Sequence, residues 1–388
     1  MNIISIHELN SVLESKPILI VGAGLFGITI ARSISDEFPD KKILILESRN
    51  HIGGNAYSFF DEETQIEVHK YGTHIFHTEQ PDIWNYVNQF TEFNSYIHKV
   101  KAKSKNRLYT LPFNLQTFSE VYGRFISPTE MSEIIKTFKN KIEPRNFEEK
   151  AVSLVGPEIY EILIKQYTEK QWQIPARDLP EETISRLPVR LNYDDRYFSD
   201  KYQGLPLLGY NQWFLNMLNA KNIIVALNCD YFELNKNLTN DLITIYSGPI
   251  DRFFEYKAGK LNWRTLDFEI EKLPVSDFQA NSVINYCDKT VEFTRVHEFK
   301  HLHPERPPRE KTIIAREYSR PATKMFEEFY PVNSSNDRKI ISEYRKLSNF
   351  EKNIWFGGRL GSYKYLDMHA AIASARTLYR NELRNKIR

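Results

Sequence analysis

Ile18–Val21 is an unbroken apolar run. It is followed by Gly22-Ala23-Gly24-Leu25-Phe26-Gly27, then by residues 28–38, whose apolar positions recur at helical spacing. A second apolar run, 42–46, ends at Glu47. Runs without alternation suit strands buried on both faces, so the opening predicts strand, glycine turn, helix, strand. From residue 82 to 173 apolar residues recur at i, i+3, i+4, which predicts helices over 82–90, 115–122, 129–140, 147–155 and 157–172. Pro128 and Pro157 fall where first helical turns tolerate proline. Between 186 and 330 strand-like runs dominate, at 223–226, 242–246, 268–271, 282–286 and 311–318. The end returns to a strand (354–356), a Gly357-Gly358 turn and a long helix over 368–383. First and last segments share a texture that the middle lacks. The expectation is an α/β chain with a discontinuous Rossmann-like domain at 1–92, 208–258 and 332–388. It carries an inserted helical-bundle domain, 93–183, and an inserted antiparallel β-sheet domain, 184–207 and 259–331.

Composition narrows the class. With 388 residues, 41% hydrophobic and 26% charged, the chain has material for a large core and is no disordered tract. Lys+Arg 52 against Asp+Glu 50 gives +2, which offers no global field for nucleic acid or anionic lipid. The longest apolar stretch, 17–31, contains three glycines and is shorter than the ~20 residues that span a bilayer. Residues 1–16 carry Glu8 and Glu14 against Lys16, unlike a signal peptide. Two cysteines, Cys229 and Cys287, exclude a disulfide scaffold and fit a reducing compartment, so a cytoplasmic protein is expected. His297, His301 and His303 with Glu298 could suggest a metal, but Pro304 follows at once, and no metal is expected. The basic stretch 300–311 is interrupted by Glu305 and Glu310 and reads as a solvated loop.

The glycine turn carries the first chemistry. G-x-G-x-x-G after a strand and before a helix, with Glu47 twenty residues beyond Gly27, fits a dinucleotide: backbone approaches a pyrophosphate while the acid accepts from a ribose diol. Glu47-Ser48-Arg49 followed by Gly53-Gly54-Asn55 resembles the FAD-binding superfamily that includes amine oxidases. A helix starting near Asp367, after Gly357-Gly358-Arg359, would aim its positive end at the flavin. FAD is therefore the expected cofactor.

Longer strings refine this. Tyr71-Gly72-Thr73-His74-Ile75-Phe76-His77-Thr78, Tyr167-Thr168-Glu169-Lys170-Gln171-Trp172, Arg186-Leu187-Pro188-Val189-Arg190 and Tyr363-Lys364-Tyr365-Leu366-Asp367-Met368 run in order along the chain. From Pro17 onward they closely resemble the bacterial UDP-galactopyranose mutase family. The resemblance implies an isomerase that interconverts the pyranose and furanose forms of a nucleotide-activated galactose, with reduced FAD attacking the anomeric carbon through N5 while UDP stays bound. It also implies a homodimer, a nucleotide-sugar substrate and a role in cell-surface polysaccharide synthesis. By motif match, Arg186 and Arg295 are the diphosphate clamps, with Arg264 a third. Tyr197, Tyr330 and Tyr365 match donors to the phosphates. Tyr167, Thr168 and Trp172 match the uridine end, Leu163 falls at a substrate-binding position, and His98 matches a position near nucleotide and sugar. His77 matches the histidine beside the flavin and Asp367 the residue closing the flavin–sugar cavity. Gly22, Gly24, Phe26, Gly27, Glu47, Ser48, Arg49, Gly53, Gly54, Asn55, His74, Ile75, Gly358, Arg359, Tyr365, Leu366, Asp367 and Met368 are the expected FAD contacts. The loop after Trp172 is the expected lid.

Three positions depart from the family pattern: Thr73 where proline is usual, Leu163 where an aromatic is common, and Gln173 in place of glycine after the tryptophan. They bear on the sugar accepted and on the lid. UDP-N-acetylgalactosamine or a dTDP-linked 6-deoxyhexose is an alternative substrate, with Thr73 reading a different sugar substituent. Taken alone, the FAD strings also suit a flavin oxidase or dehydrogenase of the amine-oxidase superfamily. A damaged lid would suit a nucleotide-binding relative without enzymatic activity.

Overall fold

The computed structural model describes residues 2–139, 143–184, 188–324 and 327–388. Arg186, one of the two expected clamps, lies outside them.

Six parallel strands form one sheet, in the order Asn2–Ile4, Ile223–Ala226, Ile43–Leu46, Ile18–Val21, Thr244–Tyr246, Ile354–Phe356. Every residue of Ile18–Val21 and Ile43–Leu46 is buried, because helices cover both faces of the sheet. On one face Leu25–Glu37 packs against Met368–Leu378, with Ile28, Ile30, Ala31 and Ile372 fully buried. On the other, Ile6–Glu14 inserts Leu9 and Leu13 against Leu44, Leu46 and Ala226. Residues 2–16, which carry no recognisable motif, thus supply an edge strand and a covering helix.

The second sheet has seven strands: Tyr330–Pro331, Trp263–Leu273, Thr312–Pro321, Arg295–Glu298, Val283–Tyr286, Val100–Ser104, Arg107–Leu111. The sequence led us to expect it antiparallel and confined to later residues. Instead Val283–Tyr286 pairs in parallel with Val100–Ser104, and the hairpin 100–111 comes from the stretch read as helical. Val100, Ala102 and Ser104 alternate inward between Lys101 and Lys103, and Lys105 and Asn106 both take positive φ, as a two-residue hairpin turn requires. Lysine is a poor sign of that turn, so the hairpin left little trace in the pattern.

Leu115–Tyr122, Pro128–Lys139, Phe147–Ile159 and Lys165–Trp172 pack around Phe118, Met131, Val155 and Tyr160. Gly156, at φ +83°, allows the chain to break and restart at Pro157. Among the described residues no helix is long and apolar enough to cross a membrane.

Candidate functional site

Two helix starts without side-chain caps meet at one cleft. Leu25–Glu37 begins after Gly24 and Met368–Leu378 after Asp367, and neither preceding side chain makes a capping bond. Open N–H groups and aligned peptide dipoles there favour an anion or an electron-rich ring. The cleft is lined by Gly22, Gly24, Phe26, Glu47, Ser48, Arg49, Gly53, Gly54, Asn55, His74, Gly358, Arg359, Leu366 and Met368. Gly22 has φ +101°, and the space where a side chain would stand on Gly24 is open. Gly53 N–H donates to the Ala23 carbonyl (2.8 Å), and Gly54 approaches Gly24 where a Cβ would meet its Cα at 3.2 Å. The paired glycines therefore let this segment lie flat against the glycine turn. Glu47 is buried; its two oxygens accept from Ala23 N–H (2.9 Å) and Arg49 N–H (3.0 Å), with lone pairs left for a diol. Arg49 donates to Asn55 (2.9 Å) and lies over the Tyr71 ring. These features fit the expected FAD.

The structure separates four expected cofactor residues from the cleft lining. Gly27 faces the strand, where a Cβ would overlap the Gly22 carbonyl oxygen. Its role is helix–strand packing, and Gly27→Ala is expected to yield protein with little bound flavin, read from the visible absorbance after purification. Ile75 lies in the hydrophobic core. Tyr365 stacks on Tyr330 (5.7 Å between centroids) with the Arg359 guanidinium over both rings. Asp367 groups with His77 and His369. Conversely, Asp230, Tyr231, Ser247, Arg252 and Glu328 line the cleft without a sequence motif to mark them.

Beside the cleft stands the Arg295 cluster. Arg295 and Glu317 face each other across two antiparallel strands, with Nη1 3.6 Å from the carboxylate. Arg295 Nε donates to the Tyr167 hydroxyl at 2.8 Å. Burial opposes the charge on Arg295, but the Glu317 carboxylate beside it makes the guanidinium hold its proton more tightly than usual. Burial likewise disfavours the Glu317 carboxylate, yet Arg295, then His297 and the Thr294 hydroxyl, hold its pKa at about 2. Glu317 was not singled out in the sequence. It sits in an alternating stretch whose buried parity, Glu317 and Ser319, emerges only with the strand pairing.

His98 is buried, bonded through Nδ1 to the Tyr96 hydroxyl (3.1 Å), with Tyr197 and Phe198 around its ring. Burial, then the fields of His297, Arg295 and His77, lowers its pKa to about 3. His77 Nδ1 lies 3.0 Å from Asp200 and its ring stacks on Phe198 (3.8 Å). Burial lowers its pKa against the opposing carboxylates of Asp200 and Asp367. His74 donates from Nδ1 to the Gly72 carbonyl (2.7 Å). Burial pulls it to about 4, so the neutral ring keeps Nε2 as an acceptor. The three histidines of the 297–303 run disperse: His297 to Thr73 and Glu317, His301 toward Asp277 and Glu298, His303 to Glu67 and Glu305. They share no strand face, because a 3₁₀ turn, Phe299–Leu302, interrupts the run.

Toward the end of Lys165–Trp172 the sequence assignments change. Arg264 is buried, and its Nη2 donates to the Gln171 carbonyl (2.8 Å) and Ser319 Oγ (3.0 Å). Burial lowers its pKa to about 10. It fastens the end of Lys165–Trp172 to the second sheet, which differs from the expected third clamp. Leu163 is packed in the helical core, its carbonyl accepting from Cys287, which differs from a pocket position. Thr168 is buried on the helix Lys165–Trp172, and Trp172 is half-buried against the helical cluster. Gln173 takes the left-handed conformation at φ +59° and donates from its side chain to the Ser319 carbonyl (3.0 Å). That conformation costs a non-glycine residue about 1–2 kcal/mol, which the side-chain bond offsets. Gln173→Ala is expected to lower stability by about 1–2 kcal/mol, and Gln173→Gly by less. Paired thermal melts check this.

A family model described as UDP-galactopyranose mutase matches residues 162–365, and one described as NAD(P)-binding Rossmann-like domain matches 20–90. The chain is 40% identical over 365 residues to a Klebsiella pneumoniae protein named "Probable UDP-galactopyranose mutase", covering 94% of each. It is also 40% identical over 367 residues to an Escherichia coli dTDP-fucopyranose mutase, covering 92% of this chain and 96% of the relative. The fold superposes on a crystal structure of reduced UDP-galactopyranose mutase with TM-score 0.72 at 15% identity, covering 95% and 94% of the two chains.

Proposed function

The chain belongs to the UDP-galactopyranose mutase family, and from that premise we propose that it is a flavin-dependent mutase converting a nucleotide-linked hexopyranose to its furanose. The observation that carries the reading is the Arg295 cluster set beside a cleft fit for FAD, with Arg359 reaching from that cleft to Tyr330 and Tyr365. Bound and reduced, FAD supplies the nucleophile for the anomeric carbon. The protein's task is to hold a detached nucleoside diphosphate close by. A guanidinium fork suits that anion, at about 1.5–3 kcal/mol per charge-assisted bond. Glu317 and Tyr167 fix the fork's orientation, so little reorganisation is needed when the diphosphate arrives. Tyr197, Tyr330 and Tyr365 add hydroxyl donors, and Arg186, by its motif, a second guanidinium. The segment after Trp172 covers the diphosphate and excludes water.

The equal identity to a galactose and a fucose enzyme favours a second reading of the sugar: a dTDP-6-deoxyhexose in place of UDP-galactose. The function also carries a cytoplasmic homodimer supplying surface-polysaccharide synthesis; two buried, free cysteines are consistent with a reducing compartment. Dithionite-reduced and oxidised protein assayed against UDP-galactopyranose and dTDP-fucopyranose, with products separated by chromatography, tests the proposal. Ring contraction with one of them by the reduced form alone is expected. Turnover that consumes oxidant, or no furanose from any activated sugar, overturns it.

A further inference from the structure

Thr73 stands between two halves of the site. Its neighbour His74 lines the dinucleotide cleft, while its own Oγ1 lies 2.8 Å from His297 Nδ1. Gly72, at φ +86°, makes the turn that brings it there and packs against Phe268 beside Glu317. His297 is 2% exposed, and its Nε2 lies 3.1 Å from Glu317 Oε2. A carboxylate only accepts, so Nε2 carries the proton in that bond. The Thr73 hydroxyl, able to donate or accept, pairs with the ring's other nitrogen, Nδ1. The second Glu317 oxygen accepts from Thr294 Oγ1 at 3.0 Å. Arg295 rests against the first and donates onward to Tyr167. A continuous line of polar contacts therefore runs from the cofactor-side loop to the helix Lys165–Trp172.

We infer that Thr73 is a positioning residue for the diphosphate subsite: its hydroxyl orients His297, which orients the Glu317 carboxylate against which the Arg295 fork is held. The inference rests on the reading that Arg295 binds the diphosphate. Without the hydroxyl, a buried ring nitrogen loses its partner, and the imidazole gains another orientation in which Nε2–H no longer faces Glu317. The carboxylate then compensates by drawing the guanidinium toward itself, out of its pose for phosphate. The bond to His297 also turns the Thr73 hydroxyl inward, in place of the sugar-reading role suggested by its sequence position.

The test uses the full-length, FAD-loaded protein. Thr73→Val keeps the shape and removes the hydroxyl; Thr73→Ser restores it. The Kd for UDP and for dTDP is measured by titration, alongside flavin content, KM and kcat with the sugar that the unaltered protein contracts. In Thr73→Val, Kd and KM are expected to rise about tenfold while kcat stays within roughly threefold and flavin content is unchanged. Thr73→Ser is expected to return both constants to near their starting values. A merely structural threonine would move the melting temperature and leave diphosphate affinity alone. Unchanged diphosphate affinity in Thr73→Val, or equal loss in Thr73→Ser, overturns the inference. Failure of the unaltered protein to bind either diphosphate overturns the function on which it rests, a result distinct from both.

Discussion

Arg295→Ala is expected to cut turnover about 10²- to 10³-fold while FAD stays bound. Among the described residues the guanidinium's partners are Tyr167 and Glu317, neither of which lines the dinucleotide cleft. On the proposed function, loss of the guanidinium removes the diphosphate's fork and leaves the cofactor's pyrophosphate seat intact. The substitution also strands a buried carboxylate, which relieves itself by taking a proton, so the fold survives more readily than the activity. Arg295→Lys keeps a charge but presents no planar fork, and most of the loss is expected to remain. By its motif, Arg186→Ala is expected to behave alike. Turnover measured on the reduced enzyme, with flavin content as the control, decides the matter. Near-normal rates in both alanine variants would remove the clamp assignment.

Glu317→Gln is expected to have the largest effect on stability. The amide keeps the shape but leaves Arg295 and His297 without their shared anion. With a carboxyl pKa of about 2 in the folded protein against an ordinary 4.5, the ionised form contributes on the order of 3 kcal/mol. A depressed carboxyl pKa stabilises above the unfolded value and loses its effect as pH falls through the folded value. The stability gap between the unaltered protein and Glu317→Gln is therefore expected to be full at neutral pH and to narrow between pH 4.5 and about 2. Thermal melts of both proteins across that range check it; a gap independent of pH would show that Glu317 acts through packing alone.

What could be read from the chain follows from how local each signal is. The glycine turn, Glu47 and the Gly53-Gly54 pair are defined by neighbours within about thirty positions, and fourteen of the eighteen expected cofactor residues line one cleft. Tyr167 and Arg295 were matched as strings, and the fold brings them into hydrogen-bond contact. The misses are long-range. Glu317 acquires meaning only when strand register sets it opposite Arg295, and His297 only when Gly72 delivers Thr73 to its ring. Arg264 looks like any other guanidinium in sequence, and its partners are carbonyl and hydroxyl oxygens of two distant segments. The 100–111 hairpin was hidden because lysines fill the outward positions of its first strand and half of its turn.

The strand Asn2–Ile4 has a practical corollary. It hydrogen-bonds along Ile223–Ala226 and closes that side of the parallel sheet. A variant trimmed to begin at Pro17, where the family likeness starts, would bare an unpaired, apolar ladder and unroof Leu44, Leu46 and Ala226. Such a shortened protein is expected to self-associate on light scattering, so an affinity tag belongs ahead of this segment rather than in its place.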